Sequence, residues 1–114
     1  MPLIEIKTLA REDIDRASIS RSLNAAVAAT IPCRVEAVWS TWQTLDAATR
    51  GNDVSTAETT AAFGPIVHVY HHRTAEQVER VVDAIETVLA RELDVERDQV
   101  FITTQPVAID DPTA

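Results

Sequence analysis

The chain has one cysteine, two glycines and an aromatic share of only 4% in its 114 residues. Each shortage removes a class of protein. A lone Cys33 can form no intramolecular disulfide, which excludes a disulfide-stapled secreted scaffold and fits a reducing, cytoplasmic setting. Following Pro32, it reads as a small, half-buried apolar residue. The scarcity of aromatics leaves the core to Val, Ile, Leu and Ala. Lys and Arg number 10 against 18 Asp and Glu, and nowhere do they cluster. The resulting net charge of -8 repels phosphate backbones and argues against nucleic-acid binding, while leaving room for a small anion where a few cations converge. No apolar run approaches the ~20 residues of a membrane helix. Charges at Glu5, Lys7, Arg11, Glu12 and Asp13 interrupt any signal-peptide core.

What remains is ordinary globular material, 46% apolar and 25% charged, enough for a single domain over residues 1–114. A chain of this length buries roughly two thirds of its unfolded surface. "PLIEIKT" reads as a strand, with Ile4 and Ile6 on one face. From about Asp13 to Thr30 the period changes: Ile14, Ile19, Leu23 and Val27 recur at helical spacing, and Pro32 ends the helix. "RVEAVWSTWQTL", Arg34 to Leu45, is rich in Val, Trp and Thr and predicts a second strand. "PIVHVYHH", Pro65 to His72, predicts a third. "TAEQVERVVDAIETVLARELDV", Thr74 to Val95, is the clearest helix, with Thr74 and Gln77 at capping-box spacing and one apolar stripe through Val78, Val81, Ile85 and Leu89. "QVFITTQPV" supplies a closing strand. The stretch between the halves, residues 46–64, is polar and small, and long for a connection, which predicts a lid, an interface arm or a further short strand.

The halves look like copies. "Pro2-Leu-Ile-Glu-Ile" matches "Pro65-Ile-Val-His-Val", a helix follows each, and Val38-Trp39 trails Pro2 at nearly the interval at which Val100-Phe101 trails Pro65. The expected fold class is therefore α+β: two tandem β-α-β units, about 2–45 and 65–107, forming a four-stranded mixed sheet with two helices packed on one face. The strand "IVHVYH" is apolar at both parities, as in strands buried on both faces, so a domain this small is expected to be an oligomer.

These features together, "MPLIEI" at the start, the duplicated β-α-β unit and "HHRTAEQ" opening the second helix, resemble the tautomerase superfamily, whose type member is 4-oxalocrotonate tautomerase. The resemblance implies a fused two-unit member, a homotrimer, working without metal or organic cofactor. It also implies that Pro2, freed as an N-terminal amine by removal of Met1, is the catalytic residue, and that Arg73 binds a substrate carboxylate or polarises a carbonyl. An α-amine titrates near ~8, close to the range where acid-base catalysis at neutral pH works best. The bland reading of Pro2 is a strand-start residue that needs no ladder donor.

Other candidates for the substrate pocket are Arg11, as a second cation just after the first strand, and His71 and Trp42. His71 and His72 are adjacent in a strand and point to opposite faces, so they do not readily share one metal; the alternatives are that one faces the pocket or that they are structural or solvated. Trp39 and Trp42, three apart, also take opposite faces, one in the core and the other lining a pocket or subunit contact. Related branches that dehalogenate 3-haloacrylates or decarboxylate malonate semialdehyde carry two arginines near the second helix and an acidic or tyrosine partner that activates water. Here only Arg73 occupies that turn, and Thr103 falls near the tyrosine position of one such branch. The expected function is thus keto-enol tautomerisation of a small carboxylated enol or enone. The alternatives are a proline-dependent hydratase, dehalogenase or decarboxylase, and a non-catalytic trimeric binding module.

Overall fold

The computed structural model describes residues 2–51, 53–56 and 64–108. Its main sheet has strands β1 (Leu3–Leu9), β2 (Trp39–Leu45), β5 (Ile66–His71) and β6 (Phe101–Pro106) in the order β2-β1-β5-β6. β1 and β2 pair in parallel, as do β5 and β6, and the two units join antiparallel through β1 and β5. Helix α1 (Arg16–Thr30) links β1 to β2, and α2 (Ala75–Leu93) links β5 to β6. The architecture is the mixed four-stranded sheet with two helices that the repeat predicts.

The helices lie on one face because strand alternation makes that face apolar. Ile4 and Ile6 of β1 and Val67 and Val69 of β5 are buried there, in one cluster with Ile19, Leu23 and Val27 of α1 and Val81, Ile85 and Leu89 of α2. Each such aliphatic side chain contributes about 1.5–3 kcal/mol on burial. The opposite face carries Leu3, Glu5, Ile66, His68 and Tyr70, half-buried, flanked at the two edges by Trp39 and Phe101, which are 64% and 63% exposed. Both parities of β5 are apolar, yet within one chain only one face is covered.

The repeat is more exact than the sequence indicates. The Trp39 N–H donates to the Pro2 carbonyl and the Phe101 N–H to the Pro65 carbonyl, both at 3.0 Å. A one-turn 3-10 helix precedes the second strand of each unit, at Val35–Ala37 and at Arg97–Gln99. That turn consumes residues expected to be strand, so β2 begins at Trp39 instead of Arg34. The first helix starts at Arg16, later than the Asp13 read from the periodicity, whereas the second starts behind the cap expected for it. Asp15 caps α1 by accepting from the Ser18 N–H, and Thr74 caps α2 in a reciprocal capping box with Gln77. α2 ends where Asp94 turns left-handed at φ 54°.

The segment between the units contains a hairpin, β3 (Ala47–Arg50) paired antiparallel with β4 (Asp53–Thr56), turned through Gly51 at φ 62°. Of the outcomes foreseen for this segment, a short strand pair is the one seen; residues 52 and 57–63 lie outside the described set. Gly64, just before the second unit, touches the Gln99 backbone so closely that a Cβ there would sit 2.0 Å from its carbonyl oxygen.

Candidate active site

Pro2 precedes β1, with its side chain fully buried. Its parity is that of Ile4 and Ile6, so it belongs to the helix-covered face. Leu3 pairs with Tyr70 across the antiparallel β1–β5 seam, which brings His71 opposite Pro2 one step further along. His71 has the same parity as Val67 and Val69 and is 7% exposed. His72 is exposed, so the adjacent histidines do part to opposite sides. Two residues beyond His71, in the turn before the N-cap Thr74, stands Arg73.

Arg73 is half-buried, and its Nε has no hydrogen-bond partner among the described residues although it is shielded from solvent. A buried donor left unpaired costs roughly 1–3 kcal/mol, so this guanidinium is primed for an acceptor. Next to it the first N–H groups of α2 add their partial positive charge. The backbone N–H of Arg73 donates to Nδ1 of His71 at 3.2 Å. Nδ1 is thereby an acceptor, which puts the proton of the neutral ring on Nε2. Burial, with a smaller contribution from the neighbouring His72, holds His71 below the ordinary histidine range, so the ring is neutral at pH 7.

The second half of the chain mirrors this arrangement with different chemistry. By the same register Pro65, also fully buried, comes opposite Thr8, which like His71 is 7% exposed. Thr8 Oγ1 accepts from Nε1 of Trp42 at 3.0 Å. Arg11 follows, and it is fully engaged: its Nε and Nη2 bind the Asp13 carboxylate at 3.0 and 2.7 Å, and its Nη1 donates to the Leu93 carbonyl at 2.6 Å. The hydrogen bond from Arg11 pulls the Asp13 carboxyl below its usual range, and Asp13 in turn raises the guanidinium. Of the five residues singled out in the sequence, the chain therefore gathers Pro2, His71 and Arg73 at one end of the β1–β5 seam. It sets Arg11 and Trp42 at the other end, beside Pro65. Trp42 is the core-side tryptophan of its pair and packs against the buried cluster, whereas Trp39 is the exposed one.

A second polar group occupies the open face. His68 hydrogen-bonds Thr103 through Nδ1 and Gln105 through Nε2, and its ring meets Tyr70 edge-on at 4.5 Å. The carboxylate of Glu5 lifts the Tyr70 hydroxyl above its ordinary range. Tyr70 and Glu5 thus lie on the other side of the sheet from Pro2. Strand parity alone would have placed them there. Among the described residues there is no group of three metal-ligating side chains, and no helix is long and apolar enough to cross a membrane.

With 21% identity, a native fused 4-OT superposes on 92% of this chain and 86% of its own, at a TM-score of 0.77. The chain has the fused 4-OT fold. A symmetric fused 4-OT trimer gives 18% identity, 96% and 88% coverage and a TM-score of 0.75. Malonate semialdehyde decarboxylase gives 16%, 96% and 87%, and 0.67. These structural neighbours belong to the tautomerase superfamily, so the resemblance read from "MPLIEI", the repeat and "HHRTAEQ" holds at the level of fold. No protein-family model and no curated protein matches the sequence. In this chain Pro2 and Pro65 sit at the two ends of the β1–β5 seam, and among the described residues it is the arginine at the Pro2 end whose Nε lacks a hydrogen-bond partner.

Proposed function

We propose that the protein is a keto-enol tautomerase of a small carboxylated enol or enone, with Pro2 as acid-base after Met1 is removed. Met1 lies outside the described residues. The observation that carries the reading is the Nε of Arg73, shielded from solvent and without a hydrogen-bond partner among the described residues, in the turn that follows His71 across the seam from Pro2. Pro2 takes a proton from the enol oxygen or α-carbon and returns it at the other position. Arg73 holds the carboxylate through its planar fork and steadies the enolate charge that develops. The Pro2 ring is buried, and an α-amine freed there has an ordinary pKa near ~8, within reach of neutral pH.

A trimer accords with this reading, since the open sheet face and the exposed Trp39 and Phe101 call for a partner and a fused 4-OT neighbour is a symmetric trimer. Arg11 and Trp42 enter this site only if a neighbouring subunit brings them, because within one chain they belong to the Pro65 end.

The test is Pro2→Ala, assayed for ketonisation of 2-hydroxymuconate and phenylenolpyruvate, with the N-terminal mass measured on the same sample. Loss of activity with Met1 absent supports the reading; an undiminished rate, or a retained Met1 that leaves the Pro2 nitrogen an amide, overturns it. Malonate semialdehyde decarboxylase, described as having decarboxylase and hydratase activities, favours a second reading in which Pro2 is a nucleophile. There its amine adds to the carbonyl of a 2-oxo acid and water leaves as the iminium forms, which borohydride traps as a stable mass increase. Absence of turnover and of trapping alike leaves the fold as a non-catalytic trimeric module.

A further inference from the structure

The Pro2 and Pro65 ends of the seam carry different buried polar side chains at the matching position. Across from Pro65 the position is Thr8, whose hydroxyl is taken by the Trp42 indole, and the nearby Arg11 is tied to Asp13 and the Leu93 carbonyl. Across from Pro2 the position is His71, whose Nδ1 is taken by the backbone N–H of Arg73. The strand is held beyond that point as well, since the Val107 N–H donates to the His71 carbonyl at 2.6 Å. The chain from His71 to the N-cap Thr74 is therefore clamped on both sides, while the Arg73 side chain has no hydrogen-bond or ion-pair partner among the described residues. We infer that His71 is a positioning residue for substrate binding: it fixes where the Arg73 side chain leaves the turn, and it touches the substrate itself no more than Thr8 does at the other end. This assignment rests on the proposed role of Arg73 and replaces a direct substrate contact by His71 with an indirect one. A neutral imidazole suits the task, because an acceptor nitrogen pins the backbone without adding a cation beside the Pro2 amine.

The experiment compares His71→Leu, which removes the acceptor, with His71→Asn, whose side-chain oxygen can take its place. Binding of fumarate, a dicarboxylate that does not turn over by ketonisation, is measured by calorimetry for both and for Arg73→Ala. Kinetics are run with phenylenolpyruvate and its methyl ester. His71→Leu is expected to weaken fumarate and raise KM for the acid about five- to tenfold, the loss of one neutral hydrogen bond's worth of order. The kcat and the ester kinetics should change less than twofold, and His71→Asn should recover most of the loss. Equal behaviour of the two variants, or an equal penalty on acid and ester, overturns the inference. So does fumarate binding that is indifferent to His71→Leu. The outcomes separate the two claims: if Pro2→Ala is inactive and Arg73→Ala fails to bind fumarate while His71→Leu is unaltered, only the His71 assignment falls. If Pro2→Ala is fully active, the tautomerase reading falls while the fumarate comparison still decides the role of His71.

Discussion

The Trp39 N–H is bound to the carbonyl of Pro2, not to any group that a side-chain replacement would remove. Ala at position 2 keeps that carbonyl, so Pro2→Ala should preserve the start of β1. The buried ring is lost, at roughly the cost of a few methylenes, about 1–2 kcal/mol. A thermal melt should show one cooperative transition slightly below that of the parent. Ketonisation, by contrast, should fall by about 10²–10⁴-fold, the usual contribution of a positioned acid-base. A variant that loses activity only in proportion to its folded fraction would argue for the strand-start reading of Pro2.

Arg73→Ala should raise KM for a carboxylated enol and reduce kcat/KM by about 10–100-fold, since hydrogen bonds to a charged group are worth about 1.5–3 kcal/mol. Arg73→Lys should restore only part of this, because an ammonium lacks the planar fork. The fold should be little affected, since the Arg73 side chain makes no ion pair among the described residues. Full activity in the lysine variant would mean that point charge alone suffices.

Of the two glycines, Gly64 should be the one that tolerates an added methyl least. The added Cβ would meet backbone, the Gln99 carbonyl at 2.0 Å, and backbone cannot swing aside as a flexible side chain does. The expected loss is more than about 2 kcal/mol, read as a lowered denaturation midpoint. Gly51→Ala would be strained by its positive φ but meets no neighbouring atom, so its cost should be about 1 kcal/mol.

Acid should destabilise the fold through His71. Burial lowers its folded pKa below the unfolded value near ~6.5, so below that pH the unfolded chain binds the proton that the native ring resists. The stability that neutral His71 contributes is complete above pH ~6.5 and is lost as pH falls toward and through the folded pKa. Midpoints measured across this range should drop for the parent and drop less for His71→Asn, which carries no titrating ring. Parallel curves for the two proteins would assign the acid sensitivity elsewhere.

Much of this protein follows from the sequence alone. Period-two and period-3.6 apolar patterns fix strands and helices because burial of Ile4, Ile6, Val67 and Val69 is decided by parity. The matched spacing after Pro2 and Pro65 then dictates two β-α-β units. Capping by Thr74 and Gln77 was equally legible, being a contact between residues three apart. What the sequence could not supply was anything set by contacts between the units. The antiparallel seam of β1 and β5 is what carries His71 and Arg73 to Pro2 while sending Arg11 and Trp42 to Pro65, and a strand does not declare its partner or its register. Nor do Arg11 and Arg73, one following each first strand, announce that Asp13 and the Leu93 carbonyl will engage the first while the second finds no side-chain partner among the described residues. That distinction is three-dimensional, because a guanidinium is free or committed only by what the fold brings within hydrogen-bond reach.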